Sequence, residues 1–92
     1  MTVKLIHRCN AWHSYDSFTL RLIITEDTSE KTFHARMMEI MKEDGISRRK
    51  TEEAFQELLQ NGQTYDLENK DGDSCNYIMT ELETDTILDE SF

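Results

Sequence analysis

The alternation of hydrophobic and polar residues near the start of the chain predicts two β-strands. Val3 and Leu5 alternate with Lys4 in a short strand over residues 2–8. Residues 17–25 show the clearest period of two, which puts one apolar row on a single strand face: Phe18, Leu20, Leu22 and Ile24. The polar and aromatic segment from residue 9 to residue 16 is expected to be a loop joining antiparallel partners.

The middle of the chain has helical periodicity in two segments. In the first, Asp27 is the expected N-cap, with Glu30 three residues later as in a capping box, and Gly45 ends the helix. The second runs from about residue 47 to residue 61, and Asn61-Gly62 closes it. Its first turn carries three bases that oppose the helix dipole, so the regular helix could instead begin at Thr51. The apolar stripes are Phe33, Met37, Ile40 and Met41 in the first helix, and Ala54, Phe55, Leu58 and Leu59 in the second.

The third pattern predicts a β-hairpin, with arms over residues 64–69 and 75–83 and a turn at 70–73 that contains Asp71-Gly72. Two registers are open: Tyr65 and Leu67 face either Tyr77 and Met79, or Ile78 and Leu82. The order ββααββ indicates an α+β fold, a small antiparallel sheet covered on one face by two helices. We expect residues 1–83 to form one domain and residues 84–92 to form an acidic tail, which is either loose or anchored by Ile87, Leu88 and Phe92.

Charge is the most unusual feature of the composition. The net charge is −9 over 92 residues, and residues 51–92 hold twelve acids against one base, Lys70. Self-repulsion at a local charge of −11 costs folding free energy. Leu, Ile, Val and Phe make up about 22% of the chain, just above the level of roughly 20% below which charged chains are usually disordered. We therefore expect a folded domain with a small core, helped by self-association.

Several functions are disfavoured by what the sequence contains. There is no apolar leader segment, and the longest apolar run, Leu22-Ile23-Ile24, is too short to span a membrane. The acidic surface would be repelled by anionic lipids, and two cysteines do not make a disulfide framework. These features indicate a cytoplasmic protein. A calcium loop at residues 66–76 fails on ligand spacing, and no catalytic motif is present.

Zinc and thiol chemistry are weaker alternatives. Zinc could draw on His7, Cys9, His13 and Cys75, but their spacing matches no standard site. A thiol enzyme would need Cys9 beside a histidine, and a chain of this size has little room for a pocket. The cluster Arg48-Arg49-Lys50 is more easily explained by pairing with acids of the same chain or of a second subunit than by nucleic-acid binding. We therefore predict no enzymatic activity, no metal and no cofactor.

The spacing of the acids suggests a use for them. Glu81, Glu83 and Asp85 alternate, so an extended chain places them about 6.6 Å apart on one face. DNA carries about one negative charge per 3.4 Å of each strand. Rows of carboxylates at such spacing could occupy the basic groove of a DNA-binding protein. The predicted phosphate surrogates are Glu52, Glu53, Glu57, Asp66, Glu68, Asp71, Asp73, Glu81, Glu83 and Asp85.

Short length, acidity and a carboxylate-rich second half, including the runs Thr64-Tyr-Asp-Leu-Glu-Asn and Thr80-Glu-Leu-Glu-Thr-Asp-Thr, give the chain a family resemblance. It resembles the Arn-type anti-restriction DNA mimics, early proteins of T-even phages. The resemblance implies a homodimer that blocks the DNA-binding surface of the McrBC restriction endonuclease or of a nucleoid protein, in the cytoplasm of a bacterial host. The acidic charge itself predicts no direct binding of nucleic acid or membrane. The alternative hypothesis is a non-enzymatic interaction adaptor that uses an apolar edge strand or the tail.

Overall fold

The computed structural model describes residues 2–10 and 18–83. Six elements follow one another: β1 (Thr2–Asn10), β2 (Phe18–Thr25), α1 (Glu30–Glu43), α2 (Arg48–Asn61), β3 (Leu67–Glu68) and β4 (Ser74–Glu83). The strands form one antiparallel sheet in the order β2-β1-β4-β3. Both helices pack on the same face of the sheet, so the predicted α+β fold with element order ββααββ is confirmed. The predicted tail lies outside the described residues, as does most of the predicted loop at residues 9–16.

Both helix starts are set by serine caps. The Ser29 side chain accepts a hydrogen bond from the Thr32 backbone N–H and is the N-cap of α1. The prediction of Asp27 as cap is therefore wrong. In α2 the cap is Ser47, which bonds the Lys50 N–H, so the proposed start at Thr51 is also wrong. A cap satisfies N–H groups that would otherwise lack partners, and this outweighs the unfavourable basic first turn of α2.

The core lies between the helices and the sheet. The predicted stripes of both helices are buried or half-buried in it, and Phe33 meets Phe55 edge-to-face at a centroid distance of 5.0 Å. The sheet contributes Ile6, Ile24 and Tyr77. Gly45 and Gly62 end the two helices as predicted, at φ of 84° and 76°. That is a left-handed conformation, which glycine adopts without steric cost.

A bulge in the pairing of β1 with β2 changes the face of several residues. The register shifts between Ile6 and His7, so that Leu22 pairs with Ile6 but Leu20 pairs with His7. Leu22 and Ile24 pack on the core, whereas Phe18 and Leu20 are about half exposed on the other face of the sheet. The prediction of a single apolar row along β2 is therefore wrong, because a bulge inserts one extra residue and interrupts the period of two.

The hairpin and the first strand also differ from the predictions. β3 contains only Leu67 and Glu68, which pair with Cys75 and Ser74, so neither proposed register is correct. Tyr65 precedes the strand and is 74% exposed. The turn at residues 70–73 lies where it was predicted. At the other end of the sheet, Cys9 belongs to β1 and not to a loop.

A buried carboxylate joins four elements. Asp44, at the C-cap of α1, has a side chain only 6% exposed, and it accepts hydrogen bonds from Arg8 at 2.8 Å, from Arg21 at 3.3 Å and from the Tyr77 hydroxyl. Burial, and then the hydrogen bond to Asp44, raise the pKa of Tyr77 well above its usual value. The two guanidinium groups compensate the buried negative charge. This cluster links α1 to β1, β2 and β4.

Candidate acidic interface

Four predicted phosphate surrogates meet in one surface groove between α2 and the segment leading into β3. Glu53 and Glu57 lie one turn apart on α2, and Asp66 and Glu68 line the opposite side. The groove has a volume of about 310 Å³, and Lys50 is the base that lines it. We call these four acids, with Lys50, the α2–β3 groove. Its net charge is −3, because four carboxylates face one ammonium group.

Hydrogen bonds hold the two sides of this groove together. The Glu57 carboxylate accepts a hydrogen bond from the Tyr65 backbone N–H at 3.3 Å. From the same helix, Lys50 Nζ donates to the Glu68 carbonyl oxygen at 3.4 Å. Glu53, Asp66 and Glu68 are exposed. The backbone carrying the acids is therefore fixed, while three of the four carboxylates face solvent.

The β3–β4 turn presents two more predicted acids. Asn69 Oδ1 accepts hydrogen bonds from the backbone N–H groups of Asp71 at 2.9 Å and Asp73 at 3.0 Å. Gly72 has a φ of 85°, which allows the turn to close. The Lys70 N–H donates to the Gly45 carbonyl at 3.0 Å, and this fastens the turn to the junction between the helices. Both carboxylates are exposed and continue the row of acids beyond the groove.

The opposite end of β4 holds a second group of acids. Glu81 is 3.7 Å from Lys4, and Glu83 accepts a hydrogen bond from the Thr2 hydroxyl. Glu26 and Glu30 line the same depression as Glu81, with a volume of about 540 Å³. The Thr2 backbone N–H, 2.6 Å from Glu26, lowers the pKa of that carboxyl group. Sequence reasoning missed Glu26 and Glu30, because only the strand order brings them near the end of β4.

Two predicted site residues do not join these groups. Glu52 points to a different groove, where its carboxylate lies 3.0 Å from His34 and where Lys42 and Arg48 also line the surface. The local surroundings of Glu52 are therefore basic. Asp85 lies outside the described residues.

Within residues 2–10 and 18–83, no ion pair involves Arg48, Arg49 or Lys50, so the expected pairing with acids of the same chain is not found there.

The charge density along β4 can be compared with that of DNA. The strand has ten residues and spans about 30 Å, over which one DNA strand carries about nine phosphates. Eight of the predicted surrogates lie along this length, together with three ammonium groups, Lys4, Lys50 and Lys70. The net charge of this set is −5, roughly half that of one DNA strand of equal length, and Glu26 and Glu30 add two further carboxylates beside Glu81. We call this row of acids the β4 acidic margin: Glu53, Glu57, Asp66, Glu68, Asp71, Asp73, Glu81 and Glu83.

The two cysteines cannot share a metal ion or a disulfide in this fold. Cys75 pairs with Asn10 and is buried on the helix side, whereas Cys9 pairs with Phe18 and Asn76 on the other face of the sheet. Burial raises the pKa of both thiols, the opposite of what a nucleophilic thiol requires. The described part of the chain contains no cluster of three residues that could ligate a metal ion.

The described helices are too short or too polar to cross a membrane. Comparisons of the whole chain with protein-family models, curated proteins and solved structures gave no match. The functional argument therefore depends on the geometry of this chain.

Proposed function

We propose that this protein is a DNA mimic that blocks the DNA-binding surface of a host DNA-binding protein by occupying it. The observation that carries this proposal is the β4 acidic margin, with eight carboxylates along about 30 Å of one strand and its neighbouring helix. Such a surface presents negative charge to the basic groove of a partner, as a phosphate backbone does.

The backbone hydrogen bonds of the margin support this mechanism. The turn is held by Asn69 and the groove by Glu57 and Lys50, so little conformational entropy is lost when a partner binds. Complementary potentials speed the encounter and favour a partner with a matching basic surface. The protein would act by competitive occupancy, without catalysis, cofactor or metal.

The resemblance to the Arn-type mimics extends the proposal to a class of partner. A restriction endonuclease such as McrBC, or a nucleoid protein, would present a basic surface built for a duplex. The protein would meet this partner in the cytoplasm of a bacterial host and would bind neither nucleic acid nor membrane itself. Repulsion between the acidic margin and phosphates supports this last statement.

Capture from a bacterial lysate tests the proposal. The immobilised protein should retain DNA-binding proteins, and duplex DNA should displace them because both compete for one surface. Elution should begin well below about 1 M salt, since screening at that ionic strength reduces the Debye length to about 3 Å. Retention of proteins that do not bind DNA, or failure of DNA to displace the captured partner, would contradict the proposal.

A matched pair of double variants separates the margin from charge in general. Glu53→Gln with Asp66→Asn removes two solvent-facing carboxylates from the groove, and Asp27→Asn with Glu39→Gln removes two exposed ones elsewhere. Both variants change the net charge by +2. We expect the groove variant to weaken binding about ten-fold and the control about two-fold or less, because close charge pairs contribute more than distant screened ones. Equal losses would show that only net charge matters.

An interaction adaptor is a second candidate, favoured by the exposed apolar side chains on the edge strand β2, including Phe18 and Leu20. Binding through such a surface would persist at about 1 M salt, because hydrophobic contacts are not screened. The tail, the other surface considered for this function, lies outside the described residues.

A further inference from the structure

We propose that the groove between α1 and α2 binds a small amphipathic anion, that is, one carboxylate or similar group on an apolar body. The groove is lined by residues of the two helices and of the turn that joins them, and its volume is about 440 Å³. Pockets for small molecules usually range from about 300 to 1,000 Å³. We call it the helix groove, and its lining includes His34, Met38, Lys42, Ile46, Arg48 and Glu52.

Helical spacing places the walls of the helix groove. On α1, His34, Met38 and Lys42 follow one another at intervals of four residues, so they lie along one face of the helix. On α2, Arg48 and Glu52 are also four residues apart. The turn between the helices is short, so the end of α1 lies beside the start of α2, and Lys42 lines the same groove as Arg48.

The helix groove has two cations without an acidic partner. Lys42 and Arg48 are exposed, and no ion pair within residues 2–10 and 18–83 involves either of them. The carboxylate of Glu52 is already hydrogen-bonded to His34 Nε2 at 3.0 Å. The His34 ring is held edge-on against Phe55 at a centroid distance of 5.0 Å. An anionic ligand would therefore meet two free positive groups, which bind carboxylates through charge-assisted hydrogen bonds.

The helix groove also offers an apolar surface next to these cations. Met38 is half-buried but does not belong to the hydrophobic core. Ile46, which is 5% exposed, lines the groove as well. An apolar body lying on these side chains would be removed from water, which is favourable. The flexible methionine side chain can adapt to the shape of such a body. The site therefore fits a ligand with one charged end and one apolar end.

A neighbouring depression extends the positive surface. Lys42 and Ile46 also line a second groove, of about 370 Å³, together with Lys50, Lys70 and Glu68. Three lysines there face one glutamate. Because positive groups lie on both sides of Lys42, an anion approaching this end of the helix pair meets a favourable local potential, although the chain as a whole is acidic.

The charge of the whole chain selects a small monoanion as the occupant over a polyanion. The net charge is −9, and residues 51–92 alone hold −11. A nucleic acid or an acidic protein segment would extend beyond the helix groove and meet this negative surface, which repels it. A monoanion that fits the groove places its single charge beside Lys42 and Arg48, well within the Debye length of about 8–10 Å at moderate salt.

This inference does not depend on the proposed function. The helix groove and the β4 acidic margin share no residue, so a ligand in the groove leaves the acids of the margin free. The experiment below uses no DNA-binding partner. Its failure would leave the capture experiment untouched, and failure of the capture experiment would leave the helix groove untouched.

NMR titration of the isotope-labelled full-length chain with octanoate tests the inference. The backbone amides of Met38, Lys42, Ile46 and Arg48 should shift in a saturable way. The Kd should be about 1 mM, as expected for a ligand of about ten non-hydrogen atoms. Acetate supplies the carboxylate without the apolar body, and octanol supplies the body without the charge. Each should bind at least about ten-fold more weakly, because the helix groove offers octanoate both kinds of contact.

Three results would overturn the inference. Shifts that do not saturate, or that lie away from the helix groove, would mean that octanoate has no site there. An equal affinity for octanol would mean that Lys42 and Arg48 take no part in binding. An equal affinity for acetate would mean that the apolar surface of Met38 and Ile46 takes no part.

A matched pair of single variants locates the anion. Arg48→Gln removes a cation from the helix groove, whereas Arg36→Gln removes an exposed cation of α1 that is not among the lining residues. Both variants make the net charge more negative by one. We expect Arg48→Gln to weaken octanoate binding about four-fold and Arg36→Gln to leave it almost unchanged, because distant charges are screened. Equal weakening would show that net charge alone matters.

The Arg48→Gln variant should fold normally. A base in the first turn of α2 opposes the helix dipole, so its removal is not expected to destabilise the helix. The amide spectrum of the free variant checks this directly. Lys42→Gln gives a second measurement on the other wall of the helix groove. If neither variant weakens octanoate binding, the cations do not hold the ligand and the inference is wrong.

Discussion

Replacing Asp44 with alanine should destabilise the protein severely, although Asp44 lies on no proposed binding surface. Its carboxylate is 6% exposed and accepts hydrogen bonds from Arg8, Arg21 and Tyr77. Alanine would remove the carboxylate that Arg8, Arg21 and the Tyr77 hydroxyl share, and would leave Arg21 only its exposed partner Glu43. Groups left unpaired in a buried position lose their protein partner without regaining full hydration.

The expected cost is about 3 kcal/mol. Breaking a fully buried ion pair costs about 3–5 kcal/mol. The two arginine side chains are about one-quarter exposed, so water recovers part of that cost and the estimate falls to the lower end. A domain of this length has a total stability of about 5–14 kcal/mol. The loss therefore corresponds to a decrease in Tm of about 12–24 °C.

Urea unfolding followed by circular dichroism measures this difference. The matched control is Glu43→Ala, which removes the neighbouring carboxylate, 3.2 Å from Arg21 but 71% exposed. We expect the control to cost about 0.5 kcal/mol or less, because exposed ion pairs contribute little. Similar losses for the two variants would refute the reasoning that burial makes Asp44 important.

Three further predictions concern stability. Tyr77 has a raised pKa in the folded state, so the unfolded chain loses the phenolic proton first, and stability should fall as pH rises above about 10 by about 1.4 kcal/mol per unit. Tyr77→Phe should remove this part of the slope in urea titrations, and an unchanged slope would contradict the assignment. Gly62→Ala should cost about 1 kcal/mol, because φ is 76° there; its Cβ would meet only the Met79 carbonyl oxygen at 3.7 Å, so a much larger loss would point to a clash instead. Ser47→Ala should cost about 1 kcal/mol through loss of the α2 cap, whereas Ser47→Asp should preserve stability, and thermal unfolding measures both.

Local sequence patterns determined the elements and their order. The stripes of α1 and α2 have a helical period because one helix face must be apolar to pack on the core, and the residues predicted for them are buried or half-buried. Gly45 and Gly62 were predicted as helix ends for an equally local reason, since few other residues adopt a left-handed conformation without strain. The excess of acids in the second half of the chain was also evident from the sequence.

Competition among local signals decided the details that were predicted wrongly. Asp27, Ser29 and Ser47 are all good N-caps by residue type, as is Thr51. Residue type alone does not select among them, because each can accept the same backbone N–H hydrogen bonds. The two-residue strand β3 likewise depends on the path of the chain after α2, which places Tyr65 outside the sheet.

Tertiary structure alone decided which acids lie together and which apolar residues face solvent. The strand order β2-β1-β4-β3 brings Glu26 and Glu30 to the end of β4, more than fifty residues away in sequence. The bulge opposite His7 turns Phe18 and Leu20 away from the core. Neither feature has a local signature, because each arises from pairing between distant segments. The sequence therefore determined that the protein is acidic and α+β, and the pairing of its strands created the acidic margin and exposed Phe18 and Leu20.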